Sequence, residues 1–443
     1  MSSEVVDIAI VGCGTVGGAT AETLLTNRQL ITEKSGISLR IKYIVDRHFT
    51  YAKHLQLDET LFEKDFQRVL EDESVRIVVE LVGGTTSARD VIAQSLEAGK
   101  DVVTANKALL AHHGEELFAI ARKAGRAIGF EASCGGGIPI LRAIYDGHVA
   151  NRIDALYGIV NGTSNYILTR MNQAGVSFED ALQEAKFRGL AERDPSLDVN
   201  GTDSAHKIAL LASLAFGLKV DFDAISISGI DSLESLDVAS GGSLGYVVKL
   251  LAIAERVDEG ISIRVRPAFI SAEHPLAWVN GPFNAVSVYG SATGHTMYYG
   301  RGAGGSPTAS AVIADIVGVA NGTIGEIFHR YGYWPDTGRD EDLVPLDQLE
   351  SRFYLRVMAN DSPGTLAHIA EILGRHGVNI ASVHQEESED EDISAEEVPV
   401  VITLHRTHEG NVRRACEEID ALTATSGTSV TIPIVDEHPE AVS

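Results

Sequence analysis

The sequence predicts an α/β protein with three parts: a doubly wound parallel sheet, an α+β catalytic and oligomerisation unit, and a small ferredoxin-like module. Three observations carry this. From Val5 to about Ala132, short apolar runs alternate with helical patterns, the rhythm of strand-helix-strand units. The glycine loop Gly12-Cys13-Gly14-Thr15-Val16-Gly17 follows the first of these runs and opens a helix. Beyond residue 350 the order is strand, helix, strand, strand, helix, strand.

In chain order, the strands of the first part are expected at 5–11, 39–45, 77–82, 101–104 and 127–131, with helices at 87–98 and 109–124. From 151 to 320 the pattern changes to helices at 178–191 and 202–216 and β-like runs at 262–270 and 285–288. Residues 321–348, with Trp334-Pro335-Asp336-Thr337-Gly338 inside, are dense in turn residues and read as a linker. The final module is expected as strands 353–358, 378–383, 398–404 and 429–435 with helices 363–376 and 410–422. The domain division that follows is 1–140, completed by about 300–320, then 141–320, a linker at 321–350, and 351–436.

At 443 residues the chain exceeds one ordinary core. Its formal charge is −26, with an acidic run from Glu386 to Asp392, so phosphate backbones and anionic lipid surfaces are repelled. Nucleic acid and membrane are therefore not expected as partners. Cys13, Cys134 and Cys416 form neither a disulfide ladder nor a zinc spacing. With no basic leader before the first strand and no apolar run of about 20 residues, a cytoplasmic location is expected.

The chemistry starts at the glycine loop. Gly12 permits a tight turn, Gly14 lets a pyrophosphate approach the backbone, and Gly17 packs the helix onto the strand, so a dinucleotide is expected there. Asp46, after the second strand, suits a ribose hydroxyl and NAD; Arg47 suits a ribose phosphate and NADP, and the choice stays open. Gly83, Gly84, Thr85 and Lys107 end two further strands at the same carboxyl edge, where ligands lie in open α/β sheets.

Asp203 and Lys207 are four apart at the start of an apolar helix and share a face. They form either an exposed ion pair or, beside a nicotinamide, a proton donor with its carboxylate. The run Glu131-Ala132-Ser133-Cys134-Gly135-Gly136-Gly137-Ile138-Pro139 reads equally as a hinge or as hard oxygen donors for a cation. His112, His113 and His206 are not at metal-ligand spacing and are treated as surface or helix residues.

The segments Gly158-Ile159-Val160-Asn161-Gly162-Thr163-Ser164-Asn165-Tyr166-Ile167-Leu168 and Glu192 to Lys207 resemble homoserine dehydrogenase, from the first strand to about residue 320. The resemblance implies a Rossmann-type first domain and interconversion of L-aspartate 4-semialdehyde and L-homoserine with NAD or NADP. It implies Lys207 as proton donor and acceptor, Glu192 and Asp203 as substrate ligands, and Gly162 and Thr163 as the floor of the substrate site. Lys107 would line the nicotinamide pocket, and Gly189 and Gly304 would approach the cofactor. Glu131, with the carbonyls of Cys134, Gly136 and Ile138, would match a monovalent cation site for Na+ or K+.

The terminal motifs Asp361-Ser362-Pro363-Gly364-Thr365-Leu366 and Gly377-Val378-Asn379-Ile380 resemble an ACT domain. That implies feedback control by an amino acid, with L-threonine as the expected effector, in a homo-oligomer (dimer or tetramer). With no kinase segment before the first strand, the chain resembles the monofunctional form. Two other readings compete. A 2-hydroxy acid dehydrogenase with an ACT tail would want a catalytic histidine with a carboxylate partner near the cofactor, and the sequence offers no convincing one. A nucleotide-sensing regulatory protein would bind without chemistry.

Overall fold

The computed structural model describes residues 4–258, 260–385 and 397–439; the acidic run from Glu386 to Asp392 lies outside them. The first part contains β1 (Glu4–Val11), α1 (Thr15–Thr26), β2 (Ile37–Val45), β3 (Phe62–Glu63), β4 (Val75–Glu80), α2 (Ser87–Glu97), β5 (Asp101–Thr104), α3 (Lys107–Ala124) and β6 (Ile128–Gly129). The strand order is β3-β2-β1-β4-β5-β6, and the pairs are parallel. The order reverses between β1 and β4, which opens a crevice at the carboxyl ends of these strands. Ile8, Ile10, Val79, Val102 and Val103 are buried, as continuous apolar strands of a doubly covered parallel sheet require. The expected strand at 127–131 shortens to two residues because Glu131 starts a single 3₁₀ turn, Glu131–Ser133. The two-residue β3 is too short to leave a periodic signal.

The second part contains β7 (Ile153–Ile159), α4 (Gly162–Ala174), α5 (Phe178–Phe187), α6 (Thr202–Phe216), β8 (Tyr246–Val257), β9 (Gly260–Ser271), β10 (Phe283–Gly290), β11 (Gly294–Arg301) and α7 (Gly305–Ala320). The strands run β11-β10-β7-β8-β9 and are antiparallel. Helix α6 is buried from Ser204 to Phe216, so its polar residues lie within the protein and need partners there. Helix α7 returns to α1: a Cβ on Gly305 would stand 3.2 Å from the Thr15 carbonyl oxygen.

The stretch expected as a linker is instead a structured strap. It carries α8 (Thr323–Arg330), and Trp334 is 2% exposed. The indole packs against Phe118, Phe130, Phe328 and Tyr331. Asp336 accepts from both Nε and Nη2 of Arg122, at 2.7 and 3.1 Å. Turn-rich composition concealed the contacts to Phe118, Arg122 and Phe130 because those residues lie some 200 positions away.

The C-terminal module contains β12 (Glu350–Asn360), α9 (Thr365–Arg375), β13 (Ile380–His384), β14 (Glu397–His408), α10 (Glu409–Asp420) and β15 (Thr425–Ile434). Its order β15-β12-β14-β13 is antiparallel and ferredoxin-like. A single register pair, Phe269 with Ile434, joins β15 to β9, so the two sheets continue as one. Arg266 on β9 also meets Glu409 at 2.6 Å.

Candidate active site

The glycine loop lies at the switch point. Gly12 has φ +95°, and a Cβ there would stand 2.5 Å from the Leu81 carbonyl oxygen. A Cβ on Gly17 would collide with the Gly12 carbonyl, whereas one on Gly14 would meet nothing within 4 Å. The loop is closed on its protein side and open on the crevice side, above the first-turn amides of α1. That shape fits a dinucleotide pyrophosphate. Cys13 is buried, Thr15 exposed and Val16 half-buried. Asp46 accepts from the Cys13 amide at 2.6 Å and the His48 amide at 3.0 Å, which pins its carboxylate beside the loop. Arg47 is exposed next to it.

The floor of the crevice rests on a carboxylate that sequence reasoning assigned no role. Glu80 is fully buried; it accepts from the amides of Val82 and Gly83 and from the Thr104 hydroxyl at 2.7 Å. Burial pushes its carboxyl up despite these bonds. Gly84 (φ +71°) accepts from Asn106 Nδ2, which ties Gly84 and Thr85 to the end of β5. Lys107 follows as the first residue of α3.

Lys107 reaches across to the second part. Its Nζ stands 3.2 Å from Asp203 Oδ1, while Lys207 Nζ stands 2.6 Å from Asp203 Oδ2. Lys207 is 8% exposed and donates also to the Val160 carbonyl at 2.6 Å. Asn161 Nδ2 donates to Asp203 at 2.8 Å and to Asp198 at 2.7 Å, and Asn161 Oδ1 caps α4 through the Ser164 amide. Burial pushes the Asp203 carboxyl up, but Lys207 and Lys107 overcome it and hold Asp203 well below the usual carboxylate range. Asp203 in turn raises the Lys107 ammonium against its burial. Asp198 moves up, through burial and the nearby Asp203 charge. Two ammonium groups thus share one ionised carboxylate at the edge of a dinucleotide crevice, a polar set suited to stabilising an alkoxide and moving its proton.

Comparison with known proteins gives the geometry a family. A family profile described as homoserine dehydrogenase matches residues 139–317, one described as its NAD-binding domain matches 12–131, and an ACT domain profile matches 353–421. The chain is 42% identical over 432 residues to the homoserine dehydrogenase of Pseudomonas aeruginosa, covering 97% of this chain and 98% of that one. The chain belongs to the homoserine dehydrogenase family. The crystal structure of a homoserine dehydrogenase from Thiobacillus denitrificans superposes with a TM-score of 0.91 at 40% identity, covering 98% of this chain and 99% of the other. A hyperthermophilic archaeal homoserine dehydrogenase in complex with NADPH superposes with a TM-score of 0.59 at 28% identity, covering 72% of this chain and 98% of the other.

As a homoserine dehydrogenase, the chain is an NAD(P)-dependent oxidoreductase with a C-terminal ACT domain. Around the lysine pair, Thr163 Oγ donates to the Leu190 carbonyl at 2.8 Å, and Gly162 lies so close to Pro282 that a Cβ would stand 2.8 Å from its carbonyl oxygen. Gly189 (φ +70°) closes α5. Gly304 (φ +118°) precedes α7, the helix that packs on α1. Glu192 is not drawn into the cluster. It is exposed on the loop after α5, with no hydrogen bond or ion pair to any described residue.

At the expected cation site, hydrogen bonds fix the one carboxylate, Glu131. Both oxygens of Glu131 are engaged, by the amides of Leu141 and Arg142 at 2.9 Å each, and its own amide donates to Asp315. Burial and the Asp315 charge push Glu131 up to about 8. Through those two amides the carboxylate caps the helical turn that begins at Ile140. The Glu131 and Ile138 carbonyls each accept a backbone N–H, from Cys134 and Ile140. Gly136 lies against Gly302, where a Cβ would stand 2.5 Å from the carbonyl oxygen. The Cys134 thiol, pushed up to about 12 by burial, donates to the Lys207 carbonyl at 3.7 Å. Among the described residues no group of three or more His, Cys, Asp or Glu could hold a metal ion.

The three histidines lie on helices as expected, His112 and His113 on α3 and His206 on α6. His206 is 7% exposed, and its Nε2 stands 3.3 Å from that of His112. Among the described residues no single helix is long and apolar enough to cross a membrane. Asn161 and Asp198 lay inside the quoted motifs, but a run holding Glu192, Asp194, Asp198 and Asp203 has no internal signal for which carboxylate turns inward.

Proposed function

We propose that Lys207 carries the proton in the interconversion of L-aspartate 4-semialdehyde and L-homoserine. The observation behind this reading is the triad in which Asp203 accepts from the buried Lys207 at 2.6 Å and from the half-buried Lys107 at 3.2 Å. A dinucleotide whose pyrophosphate is held at Gly12 to Gly17 would supply or take the hydride. As the aldehyde carbon is reduced its oxygen becomes an alkoxide, and the Lys207 ammonium stabilises that charge and donates the proton; in the reverse direction Lys207 accepts it. Asp203 orients Lys207, and Lys107 adds a second positive charge at the same edge. Glu192, uncommitted to any described partner, and Asp203 bind the substrate ammonium, with Gly162 and Thr163 as the floor.

On the cofactor side, Asp46 would accept from ribose hydroxyls and favour NAD, whereas the exposed Arg47 would meet a ribose phosphate and favour NADP. Gly84, Thr85, Gly189 and Gly304 complete that edge. The chain works as units near 1–140 with 300–320, 141–320 and 351–436, the 321–350 strap holding the first two together. The ACT unit binds an amino acid, L-threonine, and transmits its effect through β15 and β9. Met297 (41% exposed) and Tyr299 (54%) lie on β11, at one end of the sheet order, and support a homo-oligomer.

Lys207→Ala tests the reading. Aspartate semialdehyde reduction, followed by nicotinamide absorbance, should fall by about 10²–10⁴-fold, with cofactor affinity retained. Activity within tenfold of the parent chain would remove Lys207 from the proposed role.

A further inference from the structure

We propose that His112 and His206 form a two-imidazole clip for a divalent cation of the zinc class. His112 stands on α3 and His206 on α6, and their Nε2 atoms are 3.3 Å apart. Their ring centroids are 5.3 Å apart, with the planes at 76°. Two imidazoles ligating one tetrahedral ion, each at about 2.0–2.1 Å, have nitrogens about 3.3–3.4 Å apart and centroids about 5.2 Å apart. Both distances in the protein agree with that geometry.

The pair is held in place before any ion arrives. Phe222 stacks on His206 at 4.7 Å and 21°, and presents its edge to His112 at 4.6 Å and 63°. Little ordering of the two ligands remains to be done on binding, which favours affinity. His112 is exposed and opens onto a groove of about 100 Å³ that runs between α3 and α6, also lined by Glu115, Ser213 and Lys219. Solvent beside the exposed His112 supplies the remaining coordination positions. Binding forms two nitrogen-metal bonds to neutral imidazoles, and the ring that donates between the two Nε2 atoms moves its proton to Nδ1 by exchange with water.

The clip uses neither Lys207 nor Asp203, but His206 adjoins Lys207 on α6 and feels the charges of Lys107, Asp203 and Lys207. Borderline metals with an affinity for neutral imidazole, such as zinc or copper, suit it; magnesium and calcium, which prefer oxygen ligands, do not.

The test is calorimetric titration of the full, untagged chain with zinc chloride, alongside His112→Phe and His113→Phe. One saturable ion per parent chain is expected, with affinity at least about tenfold weaker in His112→Phe and unchanged in His113→Phe. Copper(II) in place of zinc should show two imidazole nitrogens in the parent spectrum and one in His112→Phe. The parent signature stands even where the variant folds poorly, and unchanged turnover of His112→Phe without metal reports its folding. No saturable zinc binding by the parent chain, equal binding by His112→Phe, or a copper spectrum without two nitrogens would overturn the proposal.

Discussion

Arg356 of the ACT unit grips Asp237 of the catalytic unit with two parallel bonds, Nε to Oδ1 at 2.7 Å and Nη2 to Oδ2 at 3.0 Å. Asp237 is fully buried, Arg356 is 4% exposed, and the Tyr354 hydroxyl adds a third bond to Asp237 at 3.0 Å. A bidentate pair removed from solvent has one strongly preferred geometry, so a change in the pose of β12 is felt at Asp237. Asp237→Ala leaves the guanidinium buried with only the exposed Glu234 nearby. Chemical denaturation should show a loss of about 3–5 kcal/mol. With the milder Asp237→Asn, inhibition of turnover by L-threonine should weaken while uninhibited activity persists; an unchanged threonine response would show that this pair does not carry the coupling.

Asn161 separates two carboxylates with a single amide, donating to Asp198 at 2.7 Å and Asp203 at 2.8 Å. Asn161→Ala removes hydrogen bonds to charged acceptors, each worth about 1.5–3 kcal/mol, and leaves the two carboxylates facing one another. kcat should fall by about 10–100-fold, on the scale of one decade per 1.4 kcal/mol, with cofactor affinity little changed. Asn161→Ser keeps a helix-capping oxygen without the bridging amide and should not restore kcat. Steady-state kinetics of both variants check this, and recovery in the serine variant would reduce Asn161 to a cap.

Lys249 has no exposed surface, and its Nζ donates to the Val279 carbonyl at 2.6 Å and, more weakly, to Asn165 and Asn280. No carboxylate lies within ion-pair distance among the described residues. Burial pulls its ammonium down to about 8. Because the folded value lies below the unfolded one, the unfolded chain binds more protons between about pH 8 and 10.4, and stability rises with pH across that window. The contribution is at most about 1.4 kcal/mol per pH unit. Lys249→Met should flatten this part of the stability-pH profile, as read by denaturant melts at pH 8, 9 and 10; an unaltered slope would assign it to other groups.

The degree to which sequence anticipated structure varied with distance along the chain. The glycine loop was legible because each glycine answers to a neighbour close in sequence or to the next strand: Gly17 to Gly12, and Gly12 to Leu81. Helix α6 was legible at both ends for a similar reason, since its first turn carries Asp203 and its cap is Gly217 at φ +68°. Strands β8 and β11 were not anticipated. An apolar run such as Val247 to Ala254 is equally compatible with a buried helix when read by periodicity alone, and its pairing with β7 and β9 decides the matter.

The parallel first sheet, the dinucleotide loop, the family resemblance and the terminal module were all readable from the chain, because they rest on local periodicity and contiguous motifs. Only the tertiary structure decided that Lys107 and Lys207 share Asp203, that Asn161 turns Asp198 toward it while Glu192 stays in solvent, that the presumed linker is anchored by Trp334 and Asp336, and that His112 meets His206. The physical reason is common to all four. Each is a contact between side chains far apart in the chain, and its energy depends on burial and distance, which come into being when the helices and sheets pack.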